Sequence, residues 1–304
     1  MSTGIPEKID PNQKPYLLYE GIEYKDFWEE SDNRSRLDEL ERDIVKKLLP
    51  ASGIRIIDLG CGYGRLAECY LERFEQIILF DASISLLRQA QERTNGKGWF
   101  IAGDINRLPF RDASFDSILM VRVFHHLPDS QRSLSEISRL LSNHGSFIFS
   151  YSNKRNLARI MAYLIGRDPN NPFSIETQGL ETTLIRHHPR YVDDLLVNMG
   201  FRELQHRGVG VVDKLSDKRG PLQVWLNLGK ALAPVFGRTK LAPWIFCKGD
   251  FFGKEKPIET DKLIDLLQCP LCGASLIKEE EIIRCSSCHQ CFPIVDGVID
   301  LRPS

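Results

Sequence analysis

The sequence has no apolar run long enough to cross a bilayer. Its first residues, MSTGIPEKIDPNQKPY, carry charges and prolines where a signal peptide needs a greasy stretch. Both absences point to a cytoplasmic protein with no stable membrane insertion. Net charge is nearly absent too: 40 Lys and Arg against 41 Asp and Glu leave −1, which removes any global reason to bind a polyanion. Internal repeats and low-complexity tracts are missing. What remains is an ordinary globular balance, 42% apolar and 27% charged, over 304 residues, enough for two structural units. In a reducing compartment, five cysteines crowded between 269 and 291 favour metal ligation over disulfides, whereas the isolated Cys69 and Cys247 read as small core hydrophobes.

Hydropathy patterning divides the chain. Residues 34–49 place Leu37, Leu40, Ile44, Val45 and Leu48 on one helical face. After Pro50 the period changes, and IRIIDL, QIILFD, GWFIAGD, FDSILMV and GSFIFSY read as buried strands. They are separated by segments of helical length at 65–74, 83–93 and 131–141. Such alternation predicts a doubly wound α/β domain on a mainly parallel sheet, with its ligand site beyond the strand C-termini. Residues 166–188 read as an insertion or lid, 189–199 as a helix closed by Gly200, and 201–207 with 243–248 as a late antiparallel pair at the sheet edge. Between these strands Leu222, Trp225, Leu226, Leu232 and Phe236 form a helical stripe, read either as a sheet-packing face or as a cover for a greasy substrate or membrane surface. A linker over 249–260 separates a first domain, 1–250, from a second, 260–304.

The sharpest pattern in the first domain is IIDLGCGYGRL at 56–66, a strand followed by Gly60, Gly62 and Gly64. Backbone without side chains lets a ligand approach closely. The third glycine of a dinucleotide fingerprint is missing, since Arg65 stands there, so a pyrophosphate is disfavoured. Asp81 ends the second strand, where an acid would chelate ribose hydroxyls or cap the next helix. Asp104 follows the third, where it would accept from the exocyclic amine of adenine.

The stretch from about 20 to 150 resembles the class I S-adenosylmethionine-dependent methyltransferases, in particular the small-molecule branch of ubiquinone and menaquinone biosynthesis. The likeness rests on DLGCGYGR (58–65), FDAS (80–83), AGDINRLPF (102–110), FDSILMVRVFHHLPD (115–129) and LLSNHGSFIFSY (140–151). It implies a seven-stranded Rossmann-like fold and S-adenosyl-L-methionine as cofactor. Asp58, Gly60, Cys61 and Gly62 would line its methionine end, Asp81 and Ala82 its ribose, Asp104 and Ile105 its adenine, and Val121 the region of the sulfonium. Tyr24 would close over it.

Methyl transfer asks chiefly for alignment and exclusion of water. An acceptor that keeps its proton at neutral pH also needs a base, and His125 and His126, just past the fourth strand, are the candidates, with hydrogen bonding to the neighbouring loop as the alternative role. Arg122, Arg155, His187 and His188 are pocket-rim candidates. The expected acceptor is a small molecule, hydrophobic or lipid-like. A tRNA or protein acceptor is the alternative, and the fourth strand lacks the Asn-Pro-Pro-Tyr type loop that recognises planar nitrogens.

At the C-terminus, CPLC and CSSC place Cys269, Cys272, Cys285 and Cys288 in two knuckles suited to a closed, tetrahedral, structural Zn2+ site. Cys291 and His289 offer a second register. With FPIVDGVIDL (292–301), this zinc ribbon resembles the activator subunits of tRNA, rRNA and release-factor methyltransferases. That likeness implies a built-in stabilising or substrate-presenting module, with Phe292, Ile294 and Val298 packed on an apolar sheet edge.

Overall fold

The apolar runs become strands sealed on both faces: Ile56, Ile57 and Leu59 of β1 (Gly53–Leu59) have no accessible surface. A computed structural model describes residues 32–179, 184–211, 222–253 and 255–302. Strands β2 (Phe74–Asp81), β3 (Trp99–Ala102), β4 (Phe115–Met120) and β5 (Leu141–Ser152) join β1 in parallel. Strand β7 (Trp244–Phe251) runs antiparallel between β5 and β6 (Phe201–Val209), giving the order β6-β7-β5-β4-β1-β2-β3. Helix α1 (Asp32–Leu48) buries Leu40, Ile44, Val45 and Leu48 as its spacing predicts. Helices α2 (Ile84–Arg93) and α3 (Ser130–Leu140) follow β2 and β4; Asp129 caps α3 by accepting from the Arg132 N–H at 2.9 Å. Then come α4 (Leu157–Leu164), α5 (Pro189–Asn198) and α6 (Leu222–Thr239). Among the described residues no helix is long and apolar enough to cross a membrane.

The helix expected over 65–74 is instead a chain of turns around a short 3-10 segment, Ala67–Cys69. Chain length explains it. The connection must climb back along β1, because Gly53 pairs with Phe74 at the start of β2. Seven strand residues span roughly 20 Å. An α-helix over 65–73 would rise only about 13 Å, whereas tighter turns at about 2 Å per residue nearly reach.

The segment read as a linker is not one throughout. Its first residues belong to β7, where Phe251 pairs with Phe201 and Asp250 with Arg202. The remainder is tied beneath the sheet: Asn143 N–H donates to Glu255 O at 2.9 Å, and the Arg55 guanidinium donates to Thr260 O at 2.7 Å. Beyond α7 (Leu263–Leu266), β8 (Leu276–Glu279), β9 (Ile282–Cys285), β10 (Cys291–Val295) and β11 (Val298–Asp300) form the ribbon. Strand β11 pairs in parallel with β3, Val298 opposite Phe100 and Asp300 opposite Ala102, so the ribbon continues the main sheet. Leu267, Leu276, Ile283, Phe292 and Leu301 pack in the same core as Ile101, Leu108 and Phe110. The expected cover of an apolar edge is thus a shared sheet and a shared core.

Of the stripe on α6, Phe236 packs against the core and Gly237 lies so close to β6 that a Cβ there would meet His206 O at 2.3 Å. This part of the helix is packed on the sheet. The side chains of Leu222, Trp225 and Leu226 lie outside the described residues, as does Tyr24.

Candidate active site and metal centre

Parallel pairing aligns the C-terminal tips of β1, β2 and β3: Leu59 lies opposite Phe80, and Asp81 opposite Ala102. At the first tip Gly60, Gly62 and Gly64 take φ of 71°, 53° and 73°, which favours glycine. The loop folds over β2, with the N–H groups of Gly60 and Cys61 donating to Phe80 O at 2.7 and 3.1 Å. Half-buried Asp81 accepts from Gly62 N–H at 2.8 Å through one oxygen and from Ser83 N–H at 2.9 Å through the other. It therefore fixes the glycine loop with a carboxylate, the acceptor type that a ribose diol requires. The alternative reading of this position as a helix cap is not met, since Ser83, not Asp81, caps α2. Asp104 accepts from Asn106 N–H and its side-chain amide at 2.9 and 3.0 Å, holding the turn that carries half-buried Ile105. The donor and acceptor set at these tips fits an adenosine with a cationic tail.

Asp58 and Cys61 sit deeper. Asp58 is buried and accepts from the Tyr70 hydroxyl at 2.8 Å. Burial pushes its carboxyl up to about 7, against the Tyr70 bond and the nearby Arg65. Between the ordinary carboxylate range and about 7, the folded chain keeps a proton that the unfolded chain has released. Stability therefore falls by about 1.4 kcal/mol per pH unit across that window and levels off above it. Asp58→Asn cannot ionise and removes this slope. Urea unfolding of both proteins from about pH 5 to about pH 8 checks it; equal slopes would refute the assignment.

Beyond β4 the chain turns sharply. Val121 is buried, and Arg122 takes φ of 63°, a conformation rare outside glycine. Arg122 N–H donates to Ser150 Oγ at 2.9 Å; its guanidinium lies 3.6 Å from the Trp244 ring centroid and pairs with Glu41. Glu41, fully buried on α1, also accepts from Arg65 at 2.8 Å. One carboxylate thus joins α1, the glycine loop and the β4 tip, and Arg122 is committed to it. His125 and His126 follow in a 3-10 turn, Phe124–His126, with ring centroids 4.0 Å apart, and His125 meets Trp244 edge-on at 4.9 Å. Burial, then His126 and Arg122, hold His125 well below the ordinary histidine range. Its Nδ1 is buried without a hydrogen-bond partner among the described residues. Burial likewise lowers His187 to about 4, and its ring stacks on Tyr191. His188 caps α5.

Sequence reasoning missed Glu41, Arg65 and Trp244. The available signal was a glutamate inside the apolar stripe of α1, flanked by Leu40, Ile44 and Val45.

In the ribbon the sulfurs of Cys269, Cys272, Cys285 and Cys288 lie within 4.8 Å of one another, with Cys269–Cys288 at 3.7 Å and Cys272–Cys285 at 3.4 Å. Thiolates about 2.3 Å from a tetrahedral zinc stand roughly 3.8 Å apart, so the set fits that ion. Cys291 is exposed with its sulfur on His289 O, outside the cluster.

Residues 57–149 match the methyltransferase domain family, and residues 260–297 match the family of Trm112p-like proteins. A malonyl-[acyl-carrier protein] O-methyltransferase of Erwinia pyrifoliae is 32% identical over 45% of this chain and 54% of its own. A demethylmenaquinone methyltransferase of Thermobifida fusca is 31% identical over 37% of this chain and 50% of its own. The chain thus spans about half the length of these relatives. Among solved structures, a SAM-dependent methyltransferase of Thermotoga maritima aligns with a TM-score of 0.52 at 21% identity, over 78% of this chain and 99% of that one. A complex of the Haloferax volcanii Trm112 methyltransferase activator with a methyltransferase also gives 0.52, at 17% identity over 73% of this chain and 92% of that one. These likenesses show the fold. The chain thus carries one stretch, 57–149, similar to the methyltransferase domain family and a second, 260–297, similar to Trm112p-like proteins.

Proposed function

We propose that the protein moves the methyl group of S-adenosylmethionine to a small hydrophobic acceptor. The observation that carries this reading is the alignment of the glycine loop, Asp81 and Asp104 on three adjacent strand tips, with a histidine pair past the fourth. When bound, the cofactor supplies a methyl group on a sulfonium whose positive charge disperses during transfer. Gly60 to Gly62 would hold its amino-acid end, Asp81 and Ala82 the ribose, and Asp104 with Ile105 the adenine. Arg122 and Glu41 clamp α1 beside the loop and help exclude water. His125 stays neutral through the physiological range and, buried against Trp244, backs the His126 ring at 4.0 Å between centroids. Half-exposed His126 is the ring a substrate can reach, and it would take the proton.

The ribbon would hold zinc without doing chemistry, since four thiolates leave no open position. A second reading, an RNA or protein acceptor, is favoured by the match to Trm112p-like proteins. Incubation of the purified chain with methyl-labelled cofactor and a cell extract separates the two. Label is expected in the lipid or small-molecule fraction, and His126→Ala is expected to slow its appearance by about a hundredfold. Label in RNA or protein, with steeply salt-dependent binding for RNA, would establish the second reading instead. No labelled fraction at all would end both.

A further inference from the structure

Helix α4 buries none of its residues, although its apolar side chains are patterned as if for burial. Leu157, Met161, Leu164 and Ile165 recur at i, i+4, i+7 and i+8 on one face, and are 44%, 51%, 65% and 57% exposed. Phe173, edge-on to Tyr163, and Ile175 extend this greasy surface into the following turn, each 47% exposed. A contiguous apolar ridge of this kind on a water-facing element marks an interaction surface.

The charge around the ridge is mostly positive. Arg155 precedes α4, exposed Arg167 follows it, and Arg186 lies on the chain returning to α5, whose own Arg190 pairs with Asp194 at 3.5 Å. Of the described acids between 154 and 190, Asp168 is engaged by Arg159 at 2.9 Å, which leaves only exposed Glu176. The imbalance is felt locally: His188 is lowered first by burial and then by Arg155, Lys154, Arg190 and Lys240. A greasy ridge rimmed by Arg155, Arg167 and Arg186 complements a surface of acyl chains beneath anionic headgroups. With eight helical residues, about 12 Å long, α4 can lie in that interface and cannot span it.

We propose that α4 and the turn after it dock the protein on an anionic lipid bilayer. The location gives the docking a purpose. The segment that bears the ridge returns over the histidine pair: Ile185 N–H donates to His125 O at 2.8 Å, and Asn153, just ahead of α4, bridges to His187. A hydrophobic acceptor would pass from the bilayer to His126 along one face of the same segment. This deepens, and for its purpose rests on, the hydrophobic-acceptor reading; the binding itself is testable alone.

The test is sedimentation of the full chain with vesicles of equimolar phosphatidylcholine and phosphatidylglycerol, beside vesicles of phosphatidylcholine alone. Binding is expected to the anionic vesicles, to weaken in high salt, and to fall by about tenfold or more in Leu164→Glu/Ile165→Glu and in Arg167→Glu. Cofactor uptake measured by calorimetry is expected to be unchanged in these surface variants. Absence of binding to the anionic vesicles, or equal binding by the Leu164→Glu/Ile165→Glu chain, overturns the proposal. So does a dimer that Leu164→Glu dissolves in a protein that ignores vesicles, because the ridge would then be covered by a second copy. Vesicle binding without any methyl transfer would sink the functional reading and leave this one standing.

Discussion

Gly60→Ala is expected to lower affinity for S-adenosylmethionine by about a hundredfold or more, the scale set by two terms acting together. The first is conformational. At φ of 71° an L-residue with a Cβ loses about 1–2 kcal/mol relative to glycine. The second is steric: the new methyl carbon would stand 2.3 Å from Val123 Cγ2, inside any allowed contact. Relief requires the loop and the β4 tip to part. That motion pulls Gly60 and Cys61 off Phe80 O and displaces the turn carrying Val121, Arg122 and both histidines. Gly96→Ala isolates the first term, because Gly96 has the same φ of 71° with nothing within 4 Å of a Cβ. It is expected to lose about 1 kcal/mol of stability and to bind the cofactor as the parent does. Calorimetry on both variants, with urea unfolding to register stability, decides the matter. Unimpaired uptake by Gly60→Ala would show that the loop does not cradle the ligand.

That contrast also shows what a sequence can reveal. The glycine loop, the acids and the strands were legible because each imposes a local pattern: β-branched runs for strands buried on two faces, bare backbone where chain meets chain. Asp81 could be placed at a strand tip, but not seen bonding Gly62, because that contact depends on the register between β1 and β2. The turns at 67–69 were hidden for a related reason, since a crossover length is dictated by where the partner strand starts. Glu41 was overlooked because a heptad-like stripe draws attention to its apolar members, whereas the two arginines that neutralise it are distant in sequence. The ribbon's cysteines declared their geometry through spacing alone. Its fusion to the sheet did not, because pairing of β11 with β3 joins residues about two hundred positions apart.

That pairing determines the last expectation. Loaded with zinc, the protein should unfold in a single transition, and stripping the metal with a strong chelator should lower the stability of the whole chain, not of the ribbon alone. The physical reason is continuity. Without a metal, four convergent thiols hold no knuckle in place, and so small a unit cannot bury enough apolar surface to order itself. Once β9 and β10 loosen, β11 loses its antiparallel neighbour and β3 loses its cover, exposing the edge at Phe100 and Ile101. Leu276, Ile283 and Phe292 would leave the common core, each worth about 2 kcal/mol of burial, so a loss of several kcal/mol is expected. The cofactor cradle should feel it as well. Leu301 N–H donates to Ala102 O at 2.8 Å and Arg302 donates to Ala82 O at 3.2 Å, next to Asp81. Cys285→Ser should reproduce the chelated state, whereas Cys291→Ser, outside the cluster, should behave as the parent. Metal analysis, thermal unfolding and cofactor calorimetry on the same samples read all three effects. A chelated chain that melted at the unchanged temperature and bound cofactor as before would show that the ribbon stands without zinc.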